Sequence, residues 1–258
     1  MIYVYAITRE PATPDVEGID QTRRFGSTSI GGVSAVFTAV NAEGFSQEAI
    51  DSRAGDLEWL GAIGYRHQAV VQDVMKKTAV VPLRAFTLFS SEEALRAYLH
   101  ENAEMLRKVL DRLDGKQEWT LQVEVEPQRW SESLVARVDS LRELQTQIDS
   151  AAPGKAFLLR KKLDDEKKRA SHAAEEALVG EIERAVLEKL RCETVAESRE
   201  RRDGAFPQIN VLIERDEEAT LHGVCDQLSE RYANEGVTFA LTGPWPPYTF
   251  AGTMNDER

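Results

Sequence analysis

Cysteine is scarce in this chain. Only Cys192 and Cys225 occur among 258 residues. They form no Cys-x-x-Cys pair and fit no zinc-site spacing, so neither a metal finger nor a redox dithiol organises the fold. Two unpaired thiols suit a reducing compartment. Long apolar runs are missing as well, so no transmembrane helix is expected, since a span needs ~20 apolar residues. The opening MIYVYAITRE has no basic stretch followed by a signal-like apolar segment, and the chain reads as cytoplasmic. Positive charge is the minority: 32 Lys and Arg against 44 Asp and Glu, a net charge of -12. That balance argues against a nucleic-acid partner and against docking on anionic lipid. No phosphate-cradling glycine loop, GxSxG elbow or HExxH pair is present.

What the chain does contain is enough apolar material for real cores. Hydrophobic residues make up 42% and charged residues 29%, values typical of globular domains. The length suits two modest domains. Ile2 to Ile7 is a continuous apolar run, as in a strand covered on both faces. Gly31-Gly32 suits a hairpin turn before a second strand, Val33 to Val40. A helix is expected from Ser46, a capping residue, with apolar positions at Ile50, Ala54, Leu57, Leu60, Ile63, Val70 and Val74. Ala79 to Phe89 reads as a strand, with Pro82 marking an edge or a bulge. Ser90 and Glu93 form a capping-box pattern opening a helix through Leu113. Gly115 can end it. Trp119, Leu121, Val123 and Val125 then alternate with polar residues, as in a half-buried strand.

This β-β-α-β-α-β order predicts an antiparallel sheet with two helices on one face, a modified ferredoxin-like domain over 1–126. Pro127 opens a charged, helical stretch and a second domain over 127–258. Gln128 to Ser150 reads as one helix and Lys155 to Arg191 as a longer one. The narrow apolar stripe of the latter suits a helical hairpin or coiled coil. Strands at Cys192–Ser198 and Phe206–Ile213, a helix over Asp216–Asn234 and a strand from Val237 to Leu241 complete it. The fold class is α+β.

Four histidines are scattered: His67, His100, His172 and His222. His67 falls on an apolar helix face, where a structural histidine with a satisfied partner is favoured over a base or ligand. The run from Arg160 to Arg169 is interrupted by Asp164, Asp165 and Glu166. A salt-bridged helix surface is favoured there, and a protein-docking surface comes second. Arg84, in the otherwise apolar Val81 to Phe89, must reach water or a carboxylate. It either bridges to its own domain or anchors a partner. The closing GPWPPYTF, Gly243 to Phe250, is stiffened by three prolines. Its aromatics Trp245, Tyr248 and Phe250 either fold back to seal the second domain's core or offer a hot spot to a partner.

Four segments in this order carry a resemblance across nearly the whole chain: YVYAI; EWLGAIGYRHQAVVQDV leading into VVPLRAFTLF; GKQEWTLQVEV; and GPWPPYTF. Together they resemble the gas vesicle protein F/L family, with the last segment the most specific. One departure concerns the stretch after Arg84. The family pattern often carries a closely following glycine, in an R-F-G-T-like run, whereas Ala85 and Phe86 stand here. That calls into question any role tied to close backbone approach, while the apolar alternation keeps the fold.

The resemblance implies an accessory protein of gas vesicle assembly, non-catalytic and without cofactor or metal. It would bind the small hydrophobic shell protein (GvpA-like) or other accessory proteins, and be cytoplasmic and associated with gas vesicles. The alternatives are a minor structural component of the vesicle, or a small-molecule-binding or enzymatic ferredoxin-like protein with a pocket around His67 and Arg84.

Overall fold

The computed structural model describes residues 1–197 and 208–252. It is a mixed helix-and-sheet protein that divides into two compact units: Met1–Glu118 together with the chain from Pro244, and Trp119–Gly243.

The first unit is built on β1 (Ile2–Thr8), β2 (Gly26–Ile30), β3 (Val33–Ala39), β4 (Val81–Pro82) and β5 (Leu88–Phe89), in the order β2-β3-β1-β4, with β5 also pairing β1. Every residue of β1 is buried, as an apolar run covered on both faces requires. Gly31 and Gly32 stand at φ 62° and 79°, so both central positions of the β2–β3 turn use the left-handed region. The helices are α1 (Ala42–Phe45), α2 (Gln47–Ser52), α3 (Leu57–Met75) and α4 (Glu92–Leu113).

The helix expected from Ser46 is broken. Ser46 does cap α2, its hydroxyl accepting from the Ala49 amide at 3.2 Å. The chain then turns through Gly55, a poor helix residue, and Asp56 caps α3 by accepting from Trp59 at 3.0 Å. The cap of α4 is Ser91, one residue past the expected Ser90. The strand expected over Ala79–Phe89 is also interrupted. Leu83 donates to the Tyr5 carbonyl at 3.0 Å and Val4 donates to the Thr87 carbonyl at 3.0 Å. Between them Arg84–Thr87 loops off β1, with Phe86 at φ 67°. Three strands precede the first helix here, unlike the expected β-β-α-β-α-β order.

The second unit contains β6 (Lys116–Val125), α5 (Pro127–Arg137), α6 (Asp139–Ser150), α7 (Pro153–Lys189), β7 (Glu193–Glu197), β8 (Gln208–Glu214), α8 (Glu218–Tyr232) and β9 (Val237–Trp245). The first residues of β6 and the last of β9 belong to the first unit. The sheet order is β7-β8-β6-β9. β7 and β8 pair antiparallel. Glu126 bonds Gly236 and Thr242 bonds Thr120, so β6 and β9 run oppositely. The elements of this unit run β-α-α-α-β-β-α-β, the last four in the β-β-α-β order expected of the second half. Parts of two expected strands, Ser198 and Phe206–Pro207, lie outside the described residues.

The single helix expected over Gln128–Ser150 is two, because Val138 is extended (φ -96°, ψ 112°). Ala151-Ala152 then turns the chain, and Pro153 opens α7, a first-turn position that needs no amide donor. Of the 37 residues of α7, only Ala156, Leu163, Leu178, Ile182 and Val186 are buried. The stripe is narrow, as expected, but it shares only Leu163, Ile182 and Val186 with the expected one, whose Ala173 and Ala177 are exposed. The buried residues of α7 join Leu141, Leu144 and Ile148 of α6, and Trp119, Leu121 and Val123 of β6, in one core. This sharing places the unit boundary at Glu118, ahead of the expected 126. The chain from Pro244 also departs from the expected 127–258 domain and belongs with the first unit.

Candidate functional site

The first unit's buried polar groups converge on Tyr3 and His67. β1 buries the whole of Tyr3 and Tyr5, and a buried phenol needs a hydrogen-bond partner. The Tyr3 hydroxyl accepts from the Phe86 amide at 3.1 Å and lies 2.9 Å from His67 Nδ1. His67 Nε2 lies 2.9 Å from the Leu83 carbonyl. A carbonyl can only accept, so these partners assign the proton to Nε2 and make Nδ1 the acceptor of the Tyr3 O–H. The Tyr5 hydroxyl donates to Thr38 at 3.1 Å and accepts from the Ile19 amide at 3.0 Å. The imidazole stacks on Tyr5, centroids 5.6 Å apart and planes 27° apart.

Only 2% of His67 is exposed. Burial pushes its pKa down to about 4, against the opposing pull of the Leu83 carbonyl. Burial likewise pushes the Tyr3 phenol well above its ordinary value. The pair is therefore neutral at physiological pH, with both ring nitrogens committed inside the unit. This is the structural histidine its position on an apolar helix face suggests.

Both ends of the Arg84–Thr87 loop hang from this pair. Leu83 is tied to His67, and Phe86 to Tyr3. Arg84 itself is exposed at the loop. Its carbonyl accepts from the Thr87 amide at 3.2 Å and from the Thr87 hydroxyl at 2.7 Å. The Phe86 ring lies 5.4 Å from Trp59 and 6.4 Å from Tyr3. Phe86 thus occupies a left-handed backbone position that glycine takes without steric cost.

The closing aromatic segment comes to the same unit. Pro246, Pro247 and Phe250 are buried and Tyr248 is half-buried. The Tyr248 hydroxyl donates to Gln68 Oε1 at 3.2 Å, next to His67 on α3. Glu118 accepts from both the amide and the hydroxyl of Thr249, at 3.0 and 2.8 Å. Arg112 donates to the Phe250 carbonyl. Burial, and then the Glu118 carboxylate, push the Tyr248 phenol upward.

The segment therefore folds back, but onto the first unit and not into the core of the second. Of the four residues singled out in the sequence, Arg84 and Trp245 are exposed, Tyr248 is half-covered and Phe250 is 4% exposed. Gln68, Arg112 and Glu118, which hold the segment, were not singled out. Glu118 and Gln117 are buried polar neighbours at the start of β6, and two adjacent buried polar residues leave no mark on an alternating pattern.

Among the described residues, no group of three or more His, Cys, Asp or Glu could hold a metal ion. A surface cavity of about 420 Å³ lies in the second unit, beside Glu126, Arg129 and Gly236, and neither His67 nor Arg84 lines it. No described helix is long and apolar enough to cross a membrane.

Two solved structures share this architecture. The gas vesicle protein GvpF of Anabaena sp. PCC7120 matches with a TM-score of 0.76, over 97% of this chain and 98% of that one, at 16% identity. GvpF of Microcystis aeruginosa matches with a TM-score of 0.68 over the same shares. At such identity they speak for the fold alone. The family model described as gas vesicle synthesis protein GvpL/GvpF matches residues 1–252, and the chain belongs to that family. Among curated relatives, gas vesicle protein L2 of Halobacterium salinarum is 30% identical, over 96% of this chain and 90% of the relative. Gas vesicle protein L of a Streptomyces species is 27% identical, over 99% and 94%.

Proposed function

We propose that this protein is a non-catalytic accessory factor of gas vesicle assembly. It binds the small hydrophobic shell protein, other accessory proteins, or both, in the cytoplasm and at the growing vesicle. The observation that carries this is the match of the family model to residues 1–252. The interior chemistry supports it: the Tyr3–His67 pair is spent on holding a loop. An aggregation-prone shell subunit needs a partner that covers its apolar surface before polymerisation. The most exposed large apolar side chains on the described helices, Leu57 and Tyr65 on α3 and Phe157 and Leu158 on α7, are candidates for that contact. Within the scaffold, α6 and α7 are read as a helical hairpin of coiled-coil character, supported by the narrow stripe on α7.

Co-expression with the shell protein and size-exclusion chromatography test the reading. Soluble co-elution is expected. A shell protein that aggregates while this chain elutes alone would move the role to other accessory proteins. Presence of the chain on washed vesicles at fixed stoichiometry would favour a minor structural component.

A further inference from the structure

The tip of the α6–α7 hairpin carries a surface at odds with the rest of the chain. Phe157 and Leu158 stand 68% and 67% exposed near the start of α7. Lys161 and Lys162 follow them at the i+4 spacing, on the same face. Long helical side chains lean toward the helix N-terminus and cover the preceding turn. Here that turn contains Gly154, which has no side chain and beyond whose Cβ position there is open space.

The charge is equally local. Across 153–162 the chain has Lys155, Arg160, Lys161 and Lys162 and no carboxylate, in a protein of net charge -12. Among the described residues the first ion pair along α7 comes only at Arg169 with Glu166. The helix start has no side-chain cap at Ala152, so the partial positive charge of its free amides adds to the same end.

We propose that this end of α7 is a docking surface for an acidic protein segment bearing bulky apolar side chains. Phe157 and Leu158 receive the apolar groups, and Lys161 and Lys162 pair with the carboxylates. The biological setting of such a segment, though not its chemistry, rests on the binding role proposed above. A flat anionic bilayer fits less well, because Asp164, Asp165 and Glu166 begin just past the lysines and would be pressed against lipid phosphates. A narrow segment can avoid them.

The test uses the full chain and a fluorescent amphipathic peptide of leucine and glutamate, with a leucine–lysine counterpart. Saturable binding of the acidic peptide is expected, weakening as salt rises. Phe157→Ser with Leu158→Ser, and separately Lys161→Glu with Lys162→Glu, should each weaken it about tenfold or more. The charge-reversed variant should gain the leucine–lysine peptide, an outcome a misfolded protein cannot give. Equal binding of both peptides by the wild type, or unchanged binding by the variants, overturns the proposal. So does patch-dependent retention on phosphatidylglycerol vesicles without peptide binding, or self-association in sedimentation that the lysine changes abolish. Shell-protein co-elution is scored separately on the same variants, so the proposed function can fail or stand independently of this surface.

Discussion

Mild acid should loosen the first unit through His67. In the folded chain this imidazole takes a proton only near pH 4, whereas in the unfolded chain it does so near its ordinary value of about 6.5. Because the folded value is depressed, the unfolded chain holds more protons between those limits. Its contribution to stability is complete above about pH 6.5 and falls as the pH drops toward 4. At about 1.4 kcal/mol per pH unit, the loss between pH 7 and pH 5 is about 2 kcal/mol. The physical event is specific: a protonated Nδ1 can no longer accept the Tyr3 O–H, and a buried cation gains no carboxylate in exchange.

Urea unfolding of wild type and His67→Gln at pH 7, 6 and 5 measures this. The variant is less stable at pH 7, by about 1–3 kcal/mol for a disrupted buried hydrogen-bond pair. It lacks the titration, so the gap to wild type should narrow by about 2 kcal/mol as the pH falls to 5. Every other titrating group cancels in the difference. Parallel loss by both proteins would refute the assignment of His67 as a neutral buried group.

Other substitutions separate the roles of the two conspicuous motifs. Phe86→Gly should melt above Phe86→Ala by the equivalent of about 1 kcal/mol. Both lose the ring between Trp59 and Tyr3, but only glycine is relaxed at φ 67°. Phe250→Ala should cost about 3–5 kcal/mol, as for buried aromatics generally, whereas Trp245→Ala at the 37% exposed position should cost under about 1 kcal/mol. Similar losses in thermal melts would show that the segment is not anchored by Phe250. Glu118→Gln should cost about 1–3 kcal/mol by weakening charge-assisted bonds to Thr249. It should also speed proteolysis near Tyr248, and unchanged cleavage would count against the carboxylate as an anchor.

The regular elements were legible wherever one physical rule acted alone. The run Ile2–Ile7 became a strand buried at every position, and Leu95, Leu99 and Leu106 became the inward face of α4. Gly31-Gly32, Gly115 and Gly236 all adopt the left-handed conformations their contexts required. The breaks were less visible. Val138 is a tolerable helix residue by propensity, yet it bends the chain so that α5 and α6 can each bury a face. Pro82 did signal an irregular strand, but the loop behind it depends on His67 and Tyr3, residues 15 and 79 positions away. The fates of the four candidate residues diverged for reasons of tertiary context: Arg84 and Trp245 are exposed, Tyr248 is half-covered and Phe250 is buried. The anchors Glu118 and Arg112 are distant in sequence from Thr249 and Phe250, which they hold.

The return of residues 244–250 to the first unit also reverses the usual order of completion during synthesis. The chain of the second unit, Trp119–Gly243, is continuous and is fully made before the residues that Glu118 and Arg112 await. The N-terminal unit, although translated first, acquires the buried ring of Phe250 only after the whole second unit has been made. A chain stopped at Gly243 would carry a finished second unit and an open first one, with Glu118 and a patch of apolar interior uncovered. Such a product is the sort that quality-control proteases recognise, so translation past Gly243 is a condition for a sealed first unit.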